Sequence, residues 1–142
     1  RETFDVKVTD FGIAQWLDAA HTETGESMGS PLYMAPEQLQ GRPVTEQTDI
    51  FSLGATLYQL LTGVAPFNGR SIAEIQQAVL HSRPVSVRSA RKTLPTSAAR
   101  IINRALQKKT GDRFASASDM AYTLNKALVR DFKDEAKQWQ LL

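Results

Sequence analysis

The chain has 142 residues, 42% hydrophobic and 23% charged, which is enough for one domain with a real core. It contains no cysteine, which excludes disulfide frameworks, Cys-based zinc sites and Cys nucleophiles, and agrees with a reducing, cytoplasmic compartment. The net charge is only +2, and the two histidines, His21 and His81, are too few for a metal site without several carboxylates, so both read as surface or satisfied residues.

The chain starts at Arg1 with no charged-then-apolar leader, so no signal peptide is visible and it reads as a piece of something longer. Phe4, Val6 and Val8 alternate with Asp5, Lys7 and Thr9, the period of a half-buried strand. Asp10-Phe11-Gly12 falls where that strand gives out into loop; by itself it reads as a turn, since Asp and Gly are common turn residues. Residues Leu17 to Ser27 are polar and aperiodic, an exposed loop carrying the hydroxyls of Thr22, Thr24 and Ser27. Gly29, Pro31 and Pro36 then oppose a regular helix or a central strand, so an irregular, apolar-anchored loop is expected there.

From Thr48 to Gly63 the pattern changes. Ile50, Phe51, Leu53, Leu57, Tyr58, Leu60 and Leu61 leave hardly any polar face, which predicts a helix buried at the centre, with Thr48 or Asp49 as its N-cap and Gly63 at its C-terminal end. The apolar run Ile50 to Leu61 is interrupted by Ser52, Gly54, Thr56 and Gln59 and is too short to span a bilayer. Ser71 to Glu74 has capping-box spacing for a helix running to about His81, and Pro84 and Pro95 bracket a loop. Ile101, Ile102, Ala105 and Leu106 give a one-faced helix over Thr96 to Lys108. A last helix is predicted over Ser118 to Arg130, with Met120, Leu124 and Leu128 facing inward, and the tail from residue 131 to 142 either extends it or begins a linker. Arg83, Arg88, Arg91, Lys92, Arg100, Arg104, Lys108, Lys109 and Arg113 face only Asp112 over their stretch. The aromatics that a single-strand nucleic-acid binder interleaves are absent between Phe67 and Phe114, so the belt reads as a solvated helix face and no nucleic-acid partner is expected.

Several short motifs occur in order: Asp10-Phe11-Gly12, a hydroxyl-bearing loop, Gly29-Ser30-Pro31-Leu32-Tyr33-Met34-Ala35-Pro36-Glu37, Asp49-Ile50-Phe51-Ser52-Leu53-Gly54, and Arg113-Phe114. Together they resemble the C-terminal part of the serine/threonine protein-kinase catalytic domain, bacterial-like in detail, over Val6 to about Leu128. The resemblance implies a mainly α fold, the helical C-terminal lobe of the kinase-like fold with a short β remnant at the N-terminus. Residues 1–130 would form the lobe, with an activation loop at 10–37 and a helical core at 48–130, and 131–142 a tail.

The same resemblance implies roles. Asp10 would hold Mg²⁺, a hard cation that wants carboxylate oxygens, with Phe11 and Gly12 as the switch beside it. Ser30, Pro31 and Tyr33 would meet the substrate, and Thr22, Thr24 and Ser27 sit where activating phosphorylation occurs in relatives. Glu37 would pair with Arg113 as a structural ion pair, and Asp49 would support the catalytic loop. Thr110-Gly111-Asp112 departs from the Asp-Pro that often precedes this Arg in relatives, which bears on the local turn.

The family's glycine-rich loop, strand lysine, catalytic-loop Asp and second metal-binding Asn precede Asp10 and are not found in this chain. ATP and Mg²⁺ are therefore expected in the intact parent and expected to bind poorly here, and the chain alone should be inactive. Its expected partners are proteins carrying Ser or Thr, with the missing N-terminal half or self-association as further contacts; no membrane segment is expected. The alternative reading is a non-catalytic, kinase-derived protein-binding module.

Overall fold

A computed structural model describes residues 31–132 of the chain, and the expected strand at 4–8 and the tail beyond 132 lie outside them. The described residues are helical and contain no strand. Six α-helices follow in order: α1 (Pro36–Leu39), α2 (Glu46–Thr62), α3 (Ile72–His81), α4 (Val87–Ala90), α5 (Thr96–Ala105) and α6 (Ala117–Asp131), with a 3₁₀ turn at Thr110–Asp112.

The α2 helix organises the rest because it buries two adjacent sides against two groups of residues. Phe51, Ala55 and Tyr58 pack with Phe67, Val79, Val87, Ile102 and Leu106, while Ile50 packs with Ile101, Ala105, Phe114 and Met120. Contact with α5 is tight at Gly54, where an added Cβ would lie 2.7 Å from the Ala105 Cβ and 3.4 Å from Leu106. The helix closes as expected at Gly63, whose φ of +78° suits glycine and whose N–H donates to Gln59 O at 2.7 Å.

Its start differs from the expectation. The N-cap is Thr45, not Thr48 or Asp49, because the Thr48 hydroxyl turns back to accept the Thr45 N–H at 3.0 Å and so belongs to the first turn. Asp49 is one residue further in and exposed, where a negative charge still favours the helix N-terminus. Nor is α2 buried all round: Leu53 is 45% and Leu60 74% exposed, since no described element covers that side.

Other boundaries shift for local reasons. The segment expected to be irregular contains α1, because Pro36 stands at its first position, where a missing N–H costs nothing. The bracketed loop between Pro84 and Pro95 contains α4, nucleated by the fully buried Val87. In α3, Ser71 accepts the Glu74 N–H at 3.2 Å, but the Glu74 carboxylate takes the Arg70 N–H at 2.7 Å and not that of Ser71. The α5 helix stops at Ala105, three residues early, because the carbonyls of Gln107 and Lys108 are turned towards Arg113. In α6, capped by Ser116, Met120 is buried and Leu124 half-buried, but Leu128 is 43% exposed, because α6 has run to the N-terminal end of α5 by that point. Among the described residues no helix is long and apolar enough to cross a membrane.

Substituting Gly54→Ala should be destabilising even though alanine gains about 1 kcal/mol of helix propensity, because overpacking a close contact costs about 1–3 kcal/mol. Urea unfolding should show a lower midpoint with an unchanged slope.

Candidate functional site

The side chain of Arg113 is fully buried and uses all five of its N–H donors. Two go to the Glu37 carboxylate, Nη1 to Oε1 at 2.6 Å and Nη2 to Oε2 at 2.8 Å, the parallel geometry that a planar guanidinium favours. The others go to backbone carbonyls: Nη1 to Gln47 O at 2.7 Å, Nε to Gln107 O at 2.8 Å and Nη2 to Lys108 O at 3.2 Å. The guanidinium also lies 4.9 Å from the Phe51 ring centre. One side chain thereby ties α1, the first turn of α2 and the segment after α5 to each other.

Glu37 is 5% exposed, and its Oε1 accepts a further bond from the Thr48 hydroxyl at 2.9 Å. Burial by itself pushes this carboxyl up, but hydrogen bonds from Arg113, from its own backbone and from Thr48, with the Arg113 charge, outweigh it and hold the group below its ordinary value. Such a pair stays ionised at neutral pH.

Upstream of this clamp, residues 31–35 are fixed against α2. The Tyr33 hydroxyl donates to Gln59 Oε1, and the Ser52 hydroxyl donates to Tyr33 O at 2.9 Å. Ala35 is fully buried, and its N–H donates to Gln38 Oε1 at 2.8 Å. The segment therefore forms a fixed ledge on the helical body, with Pro31 and Leu32 half-buried. Of the residues singled out in the sequence, Pro31, Tyr33, Glu37, Asp49 and Arg113 lie on or around this ledge and clamp. Asp10, Phe11, Gly12, Thr22, Thr24, Ser27 and Ser30 lie outside the described residues. Among the described residues no group of three or more His, Asp or Glu side chains is placed to hold a metal ion.

The basic belt is not one solvated face. Arg113 is consumed by the clamp, and Arg104 sits 4.3 Å from the Phe114 ring centre and 3.8 Å from the Asp119 carboxylate. Lys108 reaches back to donate to the carbonyls of Val79 and Ala78 at the end of α3, with its ammonium 3.6 Å from the Phe67 ring centre. Burial first, and then the Arg113 charge, pull that ammonium down to about 8. Sequence reasoning named Lys108 only as one cation of the belt and Thr48 only as a candidate helix cap, and did not name Gln47. Only Thr48 carried a local signal, its three-residue spacing from the hydroxyl of Thr45.

Comparison with known proteins adds a family. A model of the protein kinase domain matches residues 1–125. The serine/threonine-protein kinase Pkn1 of Myxococcus xanthus is 40% identical over 137 residues, covering 94% of this chain and 20% of that protein. The serine/threonine-protein kinase PrkC of Bacillus subtilis is 36% identical over 134 residues, covering 94% of this chain and 21% of that protein. A protein named as a tyrosine-protein kinase, MasK of Myxococcus xanthus, is 38% identical over 120 residues, covering 84% and 19%. The chain thus spans about a fifth of the length of the curated relatives it matches.

Removing Arg113 strands a buried carboxylate and three carbonyls, so Arg113→Ala should cost about 3–5 kcal/mol, and more than Glu37→Ala. Arg113→Lys should not restore it, since an ammonium cannot form the fork. Chemical denaturation of the three variants checks the order. The Glu37 carboxyl is depressed in the folded chain, so its contribution is complete above the ordinary carboxylate range and is lost as pH falls through its folded value. Acid titration of stability should therefore show a fall that Glu37→Gln flattens.

Proposed function

Because the chain belongs to the protein kinase domain family, we propose that it is the C-terminal, activation-segment-bearing lobe of a serine/threonine protein kinase whose intact form transfers the γ-phosphate of ATP to Ser or Thr of proteins. The observation that carries this reading is the Glu37–Arg113 clamp, which makes the segment ending at Glu37 a rigid ledge on the helical body. Phosphoryl transfer depends mainly on positioning and on charge stabilisation, so a ledge that fixes a substrate backbone is what this half contributes.

Pro31 and Tyr33 on the ledge, with Ser30 before them, bind the polypeptide around the accepting hydroxyl. The Tyr33 bond to Gln59 keeps that surface from shifting. Asp10, with Phe11 and Gly12 beside it, is the residue that would hold Mg²⁺, which when bound offsets the charge of the phosphates. Thr22, Thr24 and Ser27 are the hydroxyls offered for regulatory phosphorylation. Asp49, exposed at the start of α2, supports a catalytic loop supplied from upstream.

This chain by itself does not transfer phosphate, because the glycine-rich loop, the strand lysine and the catalytic-loop Asp are not in its sequence. The exposed Leu53 and Leu60 on α2 are covered by the upstream half of the kinase. They also favour a second reading, in which the chain is a kinase-derived module that binds a protein through the same side.

The purified chain should give no phosphate incorporation into a generic Ser/Thr protein with ATP and Mg²⁺. Joined to an upstream half, it should gain activity that Asp10→Asn lowers on the order of 10²–10³-fold. In the joined protein, Tyr33→Ala should raise KM for a peptide more than it lowers kcat. Activity of the 142-residue chain alone would sink the fragment reading. Inactivity of the joined protein, with a protein partner retained, would favour the binding module.

A further inference from the structure

Between the end of α3 and the segment that follows α5 lies a cavity of about 570 Å³. Arg83, Lys108 and Lys109 line it with His81, and Asp112 is its single carboxylate, so three cations against one anion leave an excess of two positive charges with the histidine neutral. Neither Arg83, Lys109 nor Asp112 forms an ion pair among the described residues. Lys108 contributes charge and not a free donor, because its ammonium is spent on the Val79 and Ala78 carbonyls and the Phe67 ring. Held at about 8, that ammonium is still mostly protonated at neutral pH. The floor is apolar, with Leu106 buried and Pro84 half-buried. Beside it stand two amides: the Gln107 Nε2 donates to Asn103 O at 2.9 Å, while the Gln107 Oε1 and the Asn103 side chain have no hydrogen-bond partner among the described residues.

We propose that this cavity is a docking site for a phosphorylated serine or threonine of a partner polypeptide, with Arg83 and Lys109 donating to the phosphate and Asn103 and Gln107 serving the backbone on either side of it. Charge selects the group. One phosphomonoester carries about −1.5 to −2 charges and three acceptor oxygens, which matches the cationic excess with a single side chain where two carboxylates would be needed. Arg83 adds the planar fork that suits phosphate.

Shape selects the class of ligand. Small-molecule sites bury about 70–90% of what they hold. Here His81, Arg83, Gln107, Lys109 and Asp112 are all exposed, so the basin receives a group projecting from a chain and does not enclose a free metabolite. Nucleic acid fits worse, because the lining contains no Phe, Tyr or Trp on which a base could stack.

The test is a fluorescence-anisotropy titration of the 142-residue chain, without ATP, so that its outcome is independent of phosphoryl transfer. The probe is a mixture of short labelled peptides with phosphoserine at the centre and random flanks. It should bind about tenfold or more tightly than the same mixture with serine, and the gain should shrink as salt is raised. Arg83→Glu and Lys109→Glu, both at exposed positions, should each remove most of that gain with unchanged far-ultraviolet circular dichroism. Lys126→Glu, an equal change of net charge at an exposed position of α6 outside the cavity, should leave it intact. Equal binding of the two mixtures overturns the proposal, as does a gain that survives both cavity variants or falls equally in Lys126→Glu. Inorganic phosphate that binds as tightly as the phosphopeptides also overturns it, by reducing the cavity to a site for a free anion. If the chain needs an upstream half to fold, the same titration of the joined protein gives the decision.

Discussion

The folded arrangement depends most on the burial of one guanidinium. Arg113 cannot lose its charge, so placing it out of water is tolerable only if every donor finds an acceptor. It finds five, spread over residues 37, 47, 107 and 108, and this requirement shapes the chain around it. The α5 helix must end at Ala105 to turn two carbonyls inward, the first turn of α2 must present the Gln47 carbonyl, and α1 must bring in Glu37. A buried pair of this kind is weak as a source of net stability against an apolar substitute, but it specifies one geometry, since any other leaves a charge uncompensated.

A second layer works by the same logic with smaller charges. Lys108 sets its ammonium on the Phe67 ring and closes the end of α3 by donating to the Val79 carbonyl, while the neighbouring Ala78 carbonyl also accepts the Ser82 N–H. Phe67 stacks on Phe51 with ring centres 5.9 Å apart, and Phe51 carries Arg113 on its face. The cations of the clamp and of the α3 cap are thus joined through two aromatic rings at the side of α2. This connects the Glu37–Arg113 clamp to the end of α3.

The same packing explains why α2, with apolar residues on nearly every side, still leaves Leu53 and Leu60 exposed. Two of its sides are taken by described elements and a third is open. Composition records the total demand for burial; it does not say which element meets the demand on each side. The basic belt teaches the reverse lesson: nine cations that look equivalent along the chain take different roles once folded, from a fully buried clamp to a helix cap to exposed surface charge.

Much of the architecture was legible in the order of residues, because helix periodicity and capping chemistry are local. The α3, α5 and α6 helices and the closure of α2 at Gly63 follow from residues within a few positions of one another, and the order of short motifs along the chain leads to the kinase family. Glu37 and Arg113 were also nameable, though only through the resemblance to a family, since 76 residues separate them and no local rule joins them. What tertiary structure alone decided were the effects of long-range contact on local preference. These include the early end of α5, the turn of helix seeded by Val87, the move of the α2 cap to Thr45, the exposure of Leu128, and the use of Lys108 as a cap for a helix some thirty residues away. Sequence fixes which groups need partners; the fold decides which partners they meet, because satisfying a buried charge is worth more than any local propensity it overrides.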